Sequence, residues 1–251
     1  MSSGTFYAVG VGPGSADLLT VQALQVLEAC ELVCFPETAK EAASVLSPAS
    51  HHLAYDAVSG AVNLAEKQLL FCPMPMSLDP TRAREAYEAT AALCEEPLSC
   101  GKDVAFVSIG DVSLYSTAAH LARVIASRGH PIAFVAGVTS VSAAACACAL
   151  ALAGKESAVT LLPADAYYRR GALTAALRAA GTKVLLKAGR HLADILSLIA
   201  SEGLLSQTYL VQNVTLPTER RYSGEALLKL PDDVFLHSYL SVIIVLECSH
   251  E

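Results

Sequence analysis

Near its start the chain reads Thr5-FYAVGVGPGSADLLTVQALQVLEA-Cys30, and this stretch decides the fold class. "TFYAVGVG" has no charge and no polar alternation, which is the pattern of a strand buried on both faces. Glycines 10, 12 and 14 crowd around Pro13. "SADLLTVQALQVLEAC" then predicts a helix, with Ser15 or Asp17 as its cap and an apolar stripe of Leu18, Leu19, Ala23, Leu24 and Leu27. A buried strand, a glycine loop and an amphipathic helix are the opening of a parallel α/β sheet.

The pattern repeats further along. "ELVCFP" is a strand stopped by Pro36. Residues 37 to 68 are mixed, with short helices expected around Ala42 and over Val62 to Gln68. "LLFCPMP" is a short strand. "DPTRAREAYEATAALCEE" is a helix capped by Asp79 with Pro80 in its first turn, and Ala83, Ala86, Tyr87, Thr90 and Leu93 form one face. "DVAFVSIGD" and "PIAFVAG" are strands, separated by a helix "LYSTAAHLARVIASRG" that Gly129 closes. "VTSVSAAACACALALAG" follows as a helix of small residues. Beyond it the strands "SAVTLLPA", "TKVLLKAG", "TYLVQNV", "RYSGEALLKL" and "YLSVIIVLEC" are more closely spaced, with helices over "RGALTAALRAAG" and "HLADILSLIASEG". The expectation is two α/β domains: residues 1–153 with a parallel doubly wound sheet, and 154–251 with a mixed sheet.

Composition narrows the classes. The chain has 251 residues, 53% of them apolar and 16% charged, so it is too apolar to be disordered and long enough for a sizeable core. No apolar run reaches the length of a membrane span, and the start lacks a signal-peptide pattern. The expectation is a cytoplasmic protein with no membrane partner. A net charge of −7 and the lack of a basic run argue against nucleic acid. Arg169-Arg170 and Arg220-Arg221 read as solvated pairs. The eight cysteines include no CxxC pair and no zinc spacing, so reduced core thiols and no metal site are expected.

Three loops fall at strand ends, where parallel sheets bind ligands: "GVGPGS", "IGDVSLYST" and "AGVTS". The first departs from the dinucleotide pattern G-x-G-x-x-G. Its third glycine is missing, and Pro13 removes a backbone donor that a pyrophosphate needs. No Gly-Lys-Ser/Thr marks a P-loop. Read alone, this loop leaves a plain structural turn open. Asp111 can accept from a ribose hydroxyl or an ammonium group, or cap the next helix. Thr139 and Ser140 can donate to a ligand or cap theirs.

Taken together, "VGVGPGSADLLT", "GDVSLYST", "AGVTSVSAA" and "LLKAGR" resemble the four ordered signatures of the S-adenosylmethionine-dependent tetrapyrrole methylases, along nearly the whole chain. "LLFCPMPMSLDPTRAREAYEATA" and "SLYST" are similar to the subgroup acting at carbon 20 of precorrin-2 or its cobalt form, in cobalamin biosynthesis. The resemblance implies S-adenosylmethionine between two α/β domains, leaving as S-adenosylhomocysteine, and a homodimer. It implies that Pro13 borders the tetrapyrrole trough and that Gly110, Asp111, Ser113 and Leu114 lie along the cofactor. Thr139 and Ser140 would sit at its methionine side, and Ala188, Leu240 and Ser241 around the adenine. Substrate carboxylates need basic and hydroxyl partners, for which Lys187, Arg190, His191, Arg169 and Tyr115 are the candidates, each equally readable as a surface group; Glu37, Thr38 and His52 follow the second strand and could also face the trough. If the ring carries cobalt, His52 or His191 could approach it. Val112 and Ala136 replace prolines usual in the family, and Ser15 stands where it often has Asp. Methyl transfer from a sulfonium needs no acid, and no catalytic residue is assigned. The competing readings are another corrin-ring methyltransferase, a nucleotide-binding Rossmann oxidoreductase, and a non-catalytic binding module.

Overall fold

The computed structural model describes residues 3–37, 53–74, 79–236 and 238–247. The chain divides into two compact units, Met1–Thr139 and Ser140–Glu251. The expected helix around Ala42, and the candidates Thr38 and His52, lie outside the described residues.

The first unit runs β1 (Phe6–Gly10), α1 (Val21–Ala29), β2 (Leu32–Glu37), α2 (Leu53–Ser59), β3 (Gln68–Pro73), α3 (Pro80–Ser99), β4 (Val104–Ser108), α4 (Thr117–Ser127) and β5 (Ile132–Val135). Its sheet has the order β3-β2-β4-β1-β5, and every pairing is parallel. Period-two alternation divides each strand between two cores. Phe6, Ala8, Cys34 and Phe106 pack with Cys94 and Leu98 of α3 and with Leu121 and Ile125 of α4. Val9, Val33, Phe35, Ala105 and Val107 pack on the other face with Ala23 and Leu27 of α1 and Ala57 and Val58 of α2. Ala118, Leu121, Ala122 and Ile125 give α4 an apolar stripe at helical spacing. Burying a side chain the size of Leu121 or Ile125 stabilises by about 1.5–3 kcal/mol.

Several boundaries differ from the sequence reading. The first helix starts at Val21, and its cap is Thr20, whose hydroxyl accepts from Ala23 N–H at 3.1 Å. Ser15 caps only a short 3-10 turn over Ala16–Leu18. In place of the expected helix over Val62 to Gln68, residues 62–67 form a turn and Gln68 opens β3, because the Asn63 side chain accepts from Ala65 N–H at 3.1 Å and offers the backbone an alternative to helix. In α3 the buried face is Thr90, Ala91, Cys94 and Leu98, while Leu93 is exposed. Asp79 caps this helix as expected, accepting from Thr81 N–H at 2.9 Å.

The second unit runs α5 (Ser140–Ala147), β6 (Val159–Pro163), α6 (Ala164–Arg169), α7 (Leu173–Arg178), β7 (Thr182–Leu186), α8 (Leu192–Ser201), β8 (Thr208–Gln212), β9 (Arg220–Ser223), α9 (Asp232–Leu236) and β10 (Ser241–Val245). Its sheet has the order β6-β7-β10-β8-β9, with β6 parallel to β7 and the other pairings antiparallel. Leu162, Leu173, Leu177, Leu185, Ile195, Ile199, Leu210 and Ile243 form its core with α6, α7 and α8. Helix α5 packs against β10 and so belongs with this unit, whereas the expected boundary lay at Gly154. The helix is shorter than the run of small residues. Ala149 turns left-handed at φ 54°, and Leu150 N–H bonds back to Ala145 C=O at 2.9 Å, which terminates the helix as a glycine ordinarily would. Helix α6 lies between two of the expected elements and ends at Arg169, with Gly171 at φ 66° just beyond its cap Arg170.

Candidate functional site

In the first unit the loops after β1, β4 and β5 leave the same end of three adjacent strands. The chain leaves β1 for helices on one face and β4 for α4 on the other, the arrangement that opens a crevice at strand ends. The glycines have a specific use here. Gly12 and Gly110 form an antiparallel bridge, with Gly110 N–H to Gly12 C=O at 2.7 Å and the reverse bond at 3.2 Å. A Cβ on Gly137 would lie 2.2 Å from Gly110 O, and one on Gly10 would lie 2.8 Å from both Gly110 O and Gly137 N. The three backbones therefore touch, and only glycine fits between them. This resolves the opening loop: its glycines serve close backbone approach, with Gly12 at φ 74° and Pro13 buried beside it.

Asp111 fastens the arrangement. One carboxylate oxygen accepts from Gly137 N–H at 2.8 Å. The other accepts from Ser113 N–H at 2.8 Å and from the Ser113 hydroxyl. Burial works against ionisation, but the bonds from Ser113 and Gly137 outweigh it and hold the carboxyl below its ordinary value. Asp111 does not cap α4; Ser116 does, and its hydroxyl also meets the buried Ser108 hydroxyl at 3.1 Å. Tyr115 is exposed and held at φ 52°, a left-handed conformation costly for an aromatic residue. Leu114 N–H returns to Asp111 C=O at 3.4 Å. Thr139 and Ser140 follow Gly137 by two and three residues, and Ser140 opens α5. Ala136, where the family usually has proline, accepts from the Thr20 hydroxyl at 3.1 Å. Glu37 ends β2, two strands from β1, and its carbonyl accepts from Met74 N–H.

Across these loops, residues 10–15, 108–115 and 136–140, there is one carboxylate and no lysine or arginine. Such a lining suits a cationic or neutral ligand and does not suit a pyrophosphate.

In the second unit the end of β7, the end of β8 and the start of β10 share one edge of the sheet: Leu186 is opposite Val242, and Gln212 is opposite Ser241. This brings Lys187, Ala188, Leu240 and Ser241 together. Ala188 is fully buried, and Ser241 is nearly so. Lys187 stands at φ 57°, and its carbonyl accepts from Asp165 N–H at 3.2 Å. Arg190 lies in the 3-10 turn Gly189–His191, and its side chain falls outside the described part. Arg169 is engaged by Asp165 at 2.8 Å. His191 has Asp194 at 3.1 Å from Nδ1 and Asp165 at 3.6 Å from Nε2, so its ring lies between two carboxylates.

Two features of this edge were not read from the sequence. Buried Gln212 donates to Val234 C=O at 2.9 Å and to the Ser241 hydroxyl at 3.1 Å, locking the start of β10. The turn after β8 holds Asn213 at φ 51° and Thr215 at φ 70°; such strain in a β-branched residue is rare and clusters at functional sites. The glutamine inside "TYLVQNV" was the available signal for the first; nothing in the sequence marked the second.

Among the described residues, no helix is long and apolar enough to cross a membrane, and no group of His, Cys, Asp and Glu is arranged to hold a metal ion.

Comparison with known proteins adds a further line of evidence. The family model described as "Tetrapyrrole (Corrin/Porphyrin) Methylases" matches residues 5–227. The chain is 29% identical over 246 residues to a cobalt-precorrin-2 C(20)-methyltransferase of Salmonella typhimurium, covering 97% of this chain and 96% of that protein. It is 27% identical over 249 residues to a precorrin-2 C(20)-methyltransferase of a Sinorhizobium species, covering 96% and 95%. Among solved structures it resembles a uroporphyrin-III C-methyltransferase from Thermus thermophilus complexed with S-adenosylhomocysteine, with a TM-score of 0.64, 18% identity and 96% of each chain covered. At that identity the likeness speaks for the fold alone.

Proposed function

The chain belongs to the tetrapyrrole (corrin/porphyrin) methylase family, and from that premise we propose that it transfers a methyl group from S-adenosylmethionine to carbon 20 of precorrin-2 or its cobalt form in cobalamin biosynthesis. The observation that carries this reading is the end-to-end alignment with two relatives named for that reaction, each covered over at least 95% of its length. The loop lining supports it: one carboxylate, hydroxyls, glycine backbone and no cation accord with a sulfonium ligand.

S-adenosylmethionine supplies an electrophilic methyl group whose leaving group is a neutral thioether, so no acid is required. This chain's residues have to hold the ring carbon in line with that methyl group. Pro13, Gly110, Asp111, Ser113, Leu114, Thr139, Ser140, Ala188, Leu240 and Ser241 are assigned to the cofactor, and Tyr115, Lys187, Arg190 and Glu37 to the substrate. Within the cofactor set, Asp111 shapes the loops that carry the backbone donors, since both of its oxygens are engaged by Ser113 and Gly137. No residue is assigned as the base that takes the proton from the methylated carbon, a role that water can serve. We further propose a cytoplasmic homodimer.

The test is an anaerobic assay with S-adenosylmethionine and each ring in turn, metal-free precorrin-2 and cobalt-factor II. Mass spectrometry detects one added methyl, and a carbon-13-labelled donor locates it by NMR. Methylation at carbon 20 is expected. Transfer to a different ring carbon would move the protein to another corrin-ring methyltransferase activity, and a protein that binds the cofactor but methylates neither ring sinks the carbon-20 reading.

A further inference from the structure

His191 ends the 3-10 turn Gly189–His191 in the loop that follows β7. Its ring lies between two carboxylates on different helices. Nδ1 is 3.1 Å from Asp194 in the first turn of α8, and Nε2 is 3.6 Å from Asp165 in the first turn of α6. Tyr168 of α6 packs on the ring at 5.0 Å between centroids. Asp165 is shared: Arg169 holds its other oxygen at 2.8 Å, and its own N–H donates to Lys187 C=O at 3.2 Å. His191 N–H donates to Ala188 C=O at 3.2 Å. Both ends of Lys187–His191 are therefore tied into one cluster. The loop needs such ties, because Lys187 (φ 57°) and Gly189 (φ 53°) both take the left-handed conformation, and for Lys187 that conformation is costly.

We infer that His191 is a positioning residue for cofactor binding, which clamps the Lys187–Arg190 loop through Asp165 and Asp194 and so holds Ala188 in place. This rests on the reading of Ala188 as part of the cofactor site. The Asp194 contact at 3.1 Å is a hydrogen bond, whereas Asp165 at 3.6 Å lies just beyond one and faces the ring as a charge. The charged groups against the ring are Asp165 and Asp194, with the Tyr168 ring packed on it and Arg169 on the far oxygen of Asp165.

The experiment compares the wild type with His191→Gln, His191→Lys and Asp194→Asn, using S-adenosylmethionine and the ring substrate. His191→Gln is expected to raise the cofactor KM about tenfold, as loss of charge-assisted contacts does, with kcat within about twofold. His191→Lys is expected to recover part of the loss, and amide exchange over Lys187–His191 is expected to quicken in the Gln variant without any ligand. An unchanged cofactor KM in His191→Gln overturns the inference, as does a fall in kcat alone. Asp194 is more than half exposed, so Asp194→Asn folds even if the His191 variants do not, and an unchanged KM there also counts against the clamp. A wild type that binds no cofactor defeats the reading beneath the inference, and the ligand-free exchange data separate that outcome from failure of the clamp.

Discussion

At the scale of single residues, the glycines and the strained positions carry the sharpest predictions. Gly137→Ala forces a Cβ to within 2.2 Å of a backbone oxygen that cannot move without parting two strands. It is expected to cost about 3 kcal/mol in chemical denaturation, at the upper end for overpacking. Gly154→Ala, with open space around the new methyl, is expected to be neutral or slightly stabilising. A cost below about 1 kcal/mol for Gly137→Ala would show that the loops separate easily. Lys187 offers a cleaner probe of strain. Glycine relieves the left-handed backbone and alanine does not, so Lys187→Gly is expected to be about 1 kcal/mol more stable than Lys187→Ala, while both lose affinity for an anionic ring. Asp111 titrates below its ordinary value, so its ionised form stabilises the fold above roughly pH 4, and that contribution is lost as the pH falls through its lowered value. Asp111→Asn is expected to flatten the acid limb of a stability-against-pH curve, because the amide does not titrate, and to lower stability at neutral pH, because only one of its two polar atoms can accept from Ser113 or Gly137 N–H. An acid limb that keeps its slope would assign it to other carboxylates.

Among elements, helix starts are set by capping chemistry, which the sequence allowed at several places. Ser15, Asp17 and Thr20 are all acceptable caps by residue type. The choice falls on Thr20 because its hydroxyl serves Ala23 N–H and Ala136 C=O together, joining the helix to the loop after β5. Thr20→Ala is therefore expected to cost about 1–2 kcal/mol, and Ser15→Ala clearly less, since Ser15 holds only one turn of 3-10 helix. Equal costs in thermal unfolding would contradict that ordering. The same competition explains why Val62 to Gln68 is not helical: its apolar residues permit a helix, but Asn63 closes a local turn. In α3 the periodicity was legible and its phase was not. Leu93 and Cys94 are neighbours in sequence, and packing against α4 places Cys94 inside.

For the whole molecule, the cysteines supply a test of burial that needs no activity. Cys30, Cys34, Cys72 and Cys94 are buried, whereas Cys100 and Cys146 are exposed. Burial, followed by the nearby Asp103 charge, pushes the Cys30 thiol up to about 11, so it stays protonated near neutrality. Under native conditions a thiol reagent is expected to label Cys100 and Cys146 promptly and the four buried residues only on unfolding. Prompt native labelling of Cys34 or Cys94 would contradict the core described here. Ligand linkage offers a second test: S-adenosylhomocysteine at about a hundred times its Kd is expected to add roughly 2.7 kcal/mol of stability, seen as a raised Tm. Sedimentation tests the proposed homodimer.

Buried strands without charge, helices at 3.6 spacing and glycine loops at strand ends are local patterns. They let the sequence alone determine the two α/β units, the alternation of strand and helix along the first of them and the ordered loop signatures that carry the family. What Asp111 does could not be read that way. A carboxylate two residues before Ser113 fits a cap, a ribose contact or a staple equally well, and only the fold brings Gly137 N–H to its other oxygen. The same holds for His191, whose partners at Asp165 and Asp194 belong to different helices, and for Gln212, which meets Ser241 across a strand pairing. Side-chain type and short-range spacing are written in the chain. Which donor meets which acceptor across distant segments is decided only when packing brings their backbones together.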